Sequence, residues 1–444
     1  YENGKKVLYL KLLKALYGCV KSALLWYELF CGELQDMGFV LNPYDTCVAN
    51  MTINGHQCTI AWYVDDTKIS HKSSSVVTQV IERIESKFGK MAVTRGKKHV
   101  FLGMNMQFHE NGTTTIKMKE YIKEAIADFG GSIVRRAATP AKKNLFDIDE
   151  NSKALTNSER ETFHSIVAKL LYVSKRGRLD IQLAVAFLCT RVSCSTEKDW
   201  AKLQRVLEYL NGTLDEFLVL GADDMGIMKT WVDASYAVHG DMKSHTGGVV
   251  SFGTGATMSK SSKQKLNTKS STESELVGVN DVMPQILWTR YFLESQGYGV
   301  KESIIYQDNQ SSILLEKNGR GSSSKRTRHI NIRYFFVTDR VQNKEVSIEY
   351  CPTGEMIADF FTKPLQGSLF RKFRSFIMNL DPGTYGCQDQ RSVLSKTVTN
   401  PKINVTPATP ARRPCVTWSQ VVRQGRPRNR SGPVHTQANG ERKR

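Results

Sequence analysis

Lys229-Thr230-Trp231-Val232-Asp233-Ala234-Ser235 is a β-prone run that carries one acid near its end. Two more strand-like runs follow, Gly247 to Phe252 and Ala256 to Ser261, separated by glycine-rich turns. Thr272-Glu273-Ser274-Glu275-Leu276 then opens a long helical segment that continues through Trp288, Tyr291 and Phe292, with Pro284 inside it as a point for a kink. Ile304 to Asn309 is a fourth strand ending at Asp308, and Val346 to Cys351 is a fifth. Gly354 to Lys363 reads as a short helix containing Asp359 and stopped by Pro364. The order is three strands, helix, strand, helix, strand, helix. Acids stand at the first strand, the first helix, the fourth strand and the last helix.

That order is the plan of ribonuclease H, and the local words agree with it. Val232-Asp233-Ala234-Ser235, Ser271-Thr272-Glu273-Ser274-Glu275, Gln307-Asp308-Asn309-Gln310, Arg326-Thr327-Arg328-His329-Ile330 and Ile357-Ala358-Asp359 resemble the ribonuclease H domain of copia-type LTR retrotransposons. The resemblance implies that Asp233, Glu275, Asp308 and Asp359 hold two Mg²⁺ ions, or Mn²⁺ in their place, roughly 4 Å apart beyond the carboxyl ends of the parallel strands. One ion would make the nucleophile from water and the other would stabilise the leaving 3′ oxygen. The implied substrate is the RNA strand of an RNA/DNA hybrid, told from duplex DNA by its 2′ hydroxyls and groove width.

Other titratable groups in the region have simpler readings. Glu273 lies two residues from Glu275 and points elsewhere on a helix, Glu355 is a solvated first-turn acid, and Asp241 is a surface loop residue. The resemblance also leads one to expect a histidine before the last acid; none lies between Cys351 and Asp359, so either product release differs or His329 or His245 substitutes. Lys260, Lys263, Lys265 and Lys269 precede the Glu275 helix, and Lys325, Arg326, Arg328, His329 and Arg333 precede or enter a later one. Charge of this density beside a phosphodiester site is read as contact with the hybrid backbone.

Upstream, Thr59-Ile60-Ala61-Trp62-Tyr63-Val64-Asp65-Asp66-Thr67-Lys68-Ile69-Ser70 reads as strand, tight turn and strand, with two adjacent carboxylates at the tip. Hard oxygen ligands so held suit Mg²⁺. Tyr63-Val64-Asp65-Asp66 resembles the Tyr-x-Asp-Asp box of the copia-type reverse transcriptase, and three other stretches agree: Ala15-Leu16-Tyr17-Gly18 through Trp26-Tyr27, Phe101-Leu102-Gly103-Met104, and Thr139-Pro140. Cys19-Val20-Lys21-Ser22-Ala23 departs from the family pattern. The resemblance implies that Asp65 and Asp66 act with a third Asp from a strand that would lie before Tyr1, so the chain is read as a piece of a longer polyprotein with little polymerase activity of its own.

Around these two sites the periodicity supplies helices. Trp26, Leu29, Phe30, Glu33, Leu34 and Met37 form one amphipathic face stopped by Gly38, and Val77, Val80, Ile81, Ile84 and Phe88 form another stopped by Gly89. Val100 to Phe108 and Thr113 to Lys119 read as a hairpin about Asn111-Gly112. Glu120 to Phe129, Phe163 to Lys175, Asp180 to Val192 and Glu197 to Leu210 are helical, and Lys175-Arg176-Gly177-Arg178 with Lys198, Lys202 and Arg205 would let them grip a duplex backbone.

Totals bound the rest. With 444 residues, 40% of them apolar, the chain holds more than one domain. Its 62 basic against 43 acidic residues give a net charge of +19, which points to nucleic acid. No apolar run spans a bilayer, and nine scattered cysteines without zinc spacing indicate reduced thiols inside a cell. From Asp381 the composition is that of a disordered basic tail. The expected organisation is therefore mixed, α+β and α/β: a partial reverse-transcriptase palm with a ferredoxin-like sheet at residues 1–119, and a helical thumb or connection at 120–225. A ribonuclease H-like α/β domain would occupy 226–380 and the tail 381–444. Template RNA, primer DNA and RNA/DNA hybrid are the expected partners, in cytoplasmic particles or the nucleus.

Overall fold

The computed structural model describes residues 1–9, 11, 16, 18–131, 133–319 and 331–380. In the first part, α1 (Val20–Asp36) and α2 (Ser74–Phe88) pack on one face of an antiparallel sheet of β1 (Val40–Asn42), β2 (Asp45–Ile53), β3 (His56–Tyr63) and β4 (Asp66–Ser70), paired in that order. Phe30 and Leu34 of α1 meet Val80 and Ile84 of α2 over Ala49, Ile60 and Trp62 of the sheet. Val76 takes the buried place that periodicity assigns to Val77, and Leu29 lies exposed on the outer side of α1. Glu33 is buried because Arg83 and Lys87 of α2 pair with it, so one ion cluster ties the two helices together.

A second sheet begins with β5 (Lys98–Phe101), β6 (Met104–Phe108) and β7 (Thr114–Lys117). The single strand expected from Val100 to Phe108 is two strands. Leu102 and Gly103 both take positive φ, the geometry that a two-residue hairpin turn requires, and Phe101 pairs with Met104 across it. Helices α3 (Lys119–Asp128), α4 (Asn157–Arg176), α5 (Gln182–Cys189) and α6 (Glu197–Gly212) follow, and Thr156-Glu159 and Thr196-Asp199 form capping boxes at α4 and α6. Then β8 (Leu218–Ala222) returns to pair with β7, so the hairpin and the end of the helical segment share a sheet.

In the Lys175 to Arg178 run, read as a grip on a duplex, Lys175 and Arg176 are exposed while Arg178 is turned inward. Arg178 is fully buried, its guanidinium donating to both carboxylate oxygens of Asp180 at 3.0 and 2.9 Å and to the Thr213 carbonyl at 2.8 Å. Lys202 donates to the Asp147 carbonyl at 2.6 Å and Arg205 to Thr139 at 3.1 Å. These cations hold helices to loops.

The last part contains β9 (Ile227–Ser235), β10 (His245–Ser251), β11 (Gly253–Thr254), β12 (Met258–Lys263), α7 (Ser271–Ser295), β13 (Glu302–Gln307), α8 (Gln310–Asn318), α9 (Asn331–Gln342), β14 (Ser347–Tyr350) and α10 (Gly367–Met378). The sheet order is β12-β10-β9-β13-β14; the first three strands are antiparallel and the last three parallel. One face packs on α7 through Met228, Val232, Val250, Val279, Val282 and Ile286. The other, with Trp231, Val249 and Tyr306, joins the core of α4 to α6 and α10. Alternation along β9 puts Trp231 and Asp233 on this second face.

Helix α7 runs on through Pro284. The helix expected at Gly354 to Lys363 is two 3-10 turns, Thr353–Glu355 and Ile357–Phe361, because Met356 between them has ψ of 89° and cannot carry an α-helical ladder. Among the described residues, no helix is long and apolar enough to cross a membrane. The proposed tail at 381–444 lies outside them.

Candidate functional site

Three acids meet at the carboxyl end of the β9–β13 pair. Asp233 comes from the end of β9, Glu275 from the first turns of α7, and Asp308 from the residue after β13. Their carboxylate oxygens lie within 4.8 Å of one another. Asn309 caps α8 by accepting from Ser312 N, which holds the turn at Asp308, and Thr353 donates to an Asp308 oxygen at 2.9 Å. Asp359 enters from the Ile357–Phe361 turn on the second face and is joined to Asp233 through Lys363.

Electrostatics separate this cluster from an ordinary buried ion pair. Burial, followed by the charges of Asp233 and Asp308, pushes the Glu275 carboxyl well above its usual range. Burial raises Asp233 as well, against the lowering effects of Lys363 and Thr362. Asp359 is pushed up to about 7 by burial and by Asp233. Asp180, also fully buried, is instead held low, because Arg178 outweighs the desolvation. With every acid ionised the cluster would carry more negative charge than Lys363 offsets, which is why its carboxyls hold their protons more tightly than usual. Glu275 Oε2 is buried without a hydrogen-bond partner among the described residues. An unpaired carboxylate oxygen facing two other carboxylates fits a hard divalent cation, which takes oxygen ligands and supplies the missing charge.

Several supporting residues were not singled out in the sequence. Thr362 donates to Asp233 Oδ2, and Ser235 donates to the Thr362 carbonyl at 3.2 Å. Lys363 pairs with Asp359 Oδ1 at 2.7 Å and lies 3.6 Å from Asp233 Oδ2. The available signal was spacing: Lys363 is four residues after Asp359. Gly247 lets the turn approach, since a Cβ there would stand 2.5 Å from Thr362 Cγ2 and 2.8 Å from the Ala358 carbonyl oxygen. On the opposite face Gly248 admits Val282 of α7, which would lie 2.6 Å from its Cβ.

The neighbouring candidates fall elsewhere. Glu273 accepts from Lys269 N at 2.7 Å and belongs to the cap of α7. Asp241 pairs with Lys263 at 2.8 Å. His245 is buried between His239 at 3.0 Å and Ser261 at 2.8 Å and is pushed down to about 3 by burial, so it is a packed neutral ring and no substitute for a mobile histidine. Lys260 donates to the Asp281 carbonyl at 2.5 Å, and Lys260, Arg333 and Lys265 act on the Asp281 carboxyl rather than on the acid cluster. Lys269 is exposed. Lys325, Arg326, Arg328 and His329 lie outside the described residues.

At the other candidate site, Tyr63 pairs with Asp66 and the two-residue loop Val64-Asp65 closes the hairpin. Val64 has φ of +54°, a conformation costly for a β-branched residue. Trp26 of α1 donates to its carbonyl at 2.9 Å and stacks on Phe30, which braces the strained tip. Asp65 and Asp66 are exposed, and among the described residues no third acid, histidine or cysteine joins them as a metal-ligand group.

Residues 2–143 match the reverse transcriptase (RNA-dependent DNA polymerase) family. Over 385 residues, 84% of this chain, the sequence is 26% identical to a retrovirus-related Pol polyprotein from transposon TNT 1-94 of Nicotiana tabacum. The chain is similar to retrotransposon Pol polyproteins over most of its length. A second relative, from transposon RE1 of Arabidopsis thaliana, is 27% identical over 370 residues, 83% of the chain. The chain spans 28% and 25% of the lengths of those two relatives. Ribonuclease H1 of Halobacterium salinarum aligns with 30% of the chain and 91% of its own at 13% identity and a TM-score of 0.22, so the topology given above carries the fold by itself.

Proposed function

We propose that residues 226–380 form a Mg²⁺-dependent ribonuclease that cuts the RNA strand of RNA/DNA hybrids, with Asp233, Glu275, Asp308 and Asp359 as its acids. The observation that carries this reading is the convergence of three acids from β9, α7 and the end of β13, with Glu275 Oε2 buried and unpaired. Divalent ions bound there would supply an attacking water of lowered pKa and stabilise charge on the departing 3′ oxygen. The chain's own part is positioning. Asp233 is fixed by Thr362, Asp308 by Thr353, and Glu275 by the capped start of α7. Lys265, Lys269 and Arg333, with Lys260 and Lys263 less freely, would meet the hybrid backbone, together with Lys325, Arg326, Arg328 and His329.

The test is cleavage of an end-labelled RNA strand annealed to DNA in Mg²⁺. Asp308→Asn should lower the rate by about a thousandfold, the upper range for loss of one preorganised electrostatic group. Binding of the hybrid without cleavage by the unmutated chain would replace this reading with that of a decayed copy retaining only nucleic-acid affinity. A second reading, RNA-directed DNA polymerisation by this chain, is disfavoured by the exposed Asp65-Asp66 pair, which no third acid, histidine or cysteine joins among the described residues. Nucleotide incorporation on a primed template should not exceed that of an Asp65→Asn control.

A further inference from the structure

Lys363 is the cation that acts on Asp233, Glu275 and Asp359 alike. Its ammonium stands 2.7 Å from Asp359 Oδ1 and 3.6 Å from Asp233 Oδ2. Its backbone N–H donates to the Asp359 carbonyl at 2.9 Å, so the main chain is fixed while the side chain, 40% exposed, has a path to solvent. The Asp308 and Glu275 side of the cluster has no comparable ion pair among the described residues.

We propose that Lys363 is a resident cation that the acidic cluster uses in place of one divalent ion, and that it must swing out before a second ion can bind between Asp233 and Asp359. The inference rests on the metal-binding reading given above. A divalent ion sits about 2.1 Å from hard oxygen ligands. An ion shared by Asp233 and Asp359 would claim the same oxygens that Lys363 touches, and the two positive charges would be driven apart. The first ion, on the side of Glu275 and Asp308, would feel Lys363 only through its longer-range charge, because the lysine's contacts are to Asp233 and Asp359. Two consequences follow: the ions bind in order, and the second is weakened by the work of expelling Lys363. In the absence of divalent ions the lysine also keeps Asp233 and Asp359 from repelling each other, which preserves the turn that carries Asp359.

The experiment is direct Mn²⁺ titration of the full chain by calorimetry and by the paramagnetic signal of free Mn²⁺, without substrate. The unmutated chain should bind one ion more tightly than a second. Lys363→Met should bind the second ion about 10- to 100-fold more tightly, the size of effect seen at groups touching metal ligands but with the opposite sign, since this group competes with the ion. Lys363→Arg, which keeps the charge and guards against a mere packing effect, should follow the unmutated chain. Equal second-ion affinity in Lys363→Met and the unmutated chain would overturn the inference, as would weaker binding of both ions by a folded Lys363→Met. Absence of any Mn²⁺ binding by the unmutated chain, or binding unchanged by Asp308→Asn, would instead overturn the metal-site reading beneath it.

Discussion

Asp65 and Asp66 stand in solvent at a hairpin tip, whereas Asp233, Glu275 and Asp308 are drawn from three separate elements into the end of a sheet. Both sets place like charges side by side, but water screens the first and the protein desolvates the second. The consequence is visible in proton affinity: the carboxyls of Asp233, Glu275 and Asp359 are pushed upward. The hairpin keeps its feature of strain in the backbone, at Val64, instead of in charge. A convergent cluster made from distant elements is assembled as soon as the sheet forms. A pair on one hairpin draws its charge from one element alone, and among the described residues no third ligand-type side chain joins it.

The largest expected difference between the two regions is metal-linked stability. At about 100 times its dissociation constant, Mg²⁺ should stabilise the folded chain by about 2.7 kcal/mol. Glu275→Gln should remove most of that gain while Asp65→Asn retains it, as read from thermal melts with and without Mg²⁺.

Gly247→Ala should come next, costing about 1–3 kcal/mol by overpacking against Thr362 and the Ala358 carbonyl. Denaturant melts would measure it, and a shifted Asp359 turn should weaken Mg²⁺ stabilisation as well.

Proton linkage sharpens the contrast further. The unfolded chain releases the Asp359 proton near pH 4, while the folded chain keeps it until about 7. Folding stability from this group is therefore highest below the unfolded value and is lost as pH rises to about 7. In EDTA, the melting temperature of Asp359→Asn relative to the unmutated chain should rise between pH 5 and pH 8. His239 and His245, pushed down by burial, act in the opposite sense on acidification but cancel in that comparison.

The smallest effects belong to the hairpin. Trp26→Phe removes the donor to Val64 and should cost about 1 kcal/mol. Asp65→Asn, at an exposed turn, should stay within about 0.5 kcal/mol in the same denaturant melts and leave hybrid cleavage unchanged. A large loss of cleavage in Asp65→Asn would break the separation of the two regions.

Local pattern was enough to find β3 and β4, β9, the start of α7 and β13, because strand alternation and helix capping involve near neighbours and are written in consecutive residues. The order of the acids could be read with them, and the sheet edge at which three of them meet came from the resemblance to ribonuclease H. Partnership across the chain was not legible. Arg178 looks like one more exposed charge in a basic run, yet Asp180, Thr213 and Tyr209 surround it. Lys260 and Lys263 looked like backbone contacts and are engaged by Asp281 and Asp241. Lys363 looked like a helix end and is the cation of the acid cluster. A sequence states which residues carry charge and how neighbours alternate. Which charges lose their water, and which opposite charge then stands within 3 or 4 Å, depends on contacts between distant segments, and those the tertiary structure alone decided.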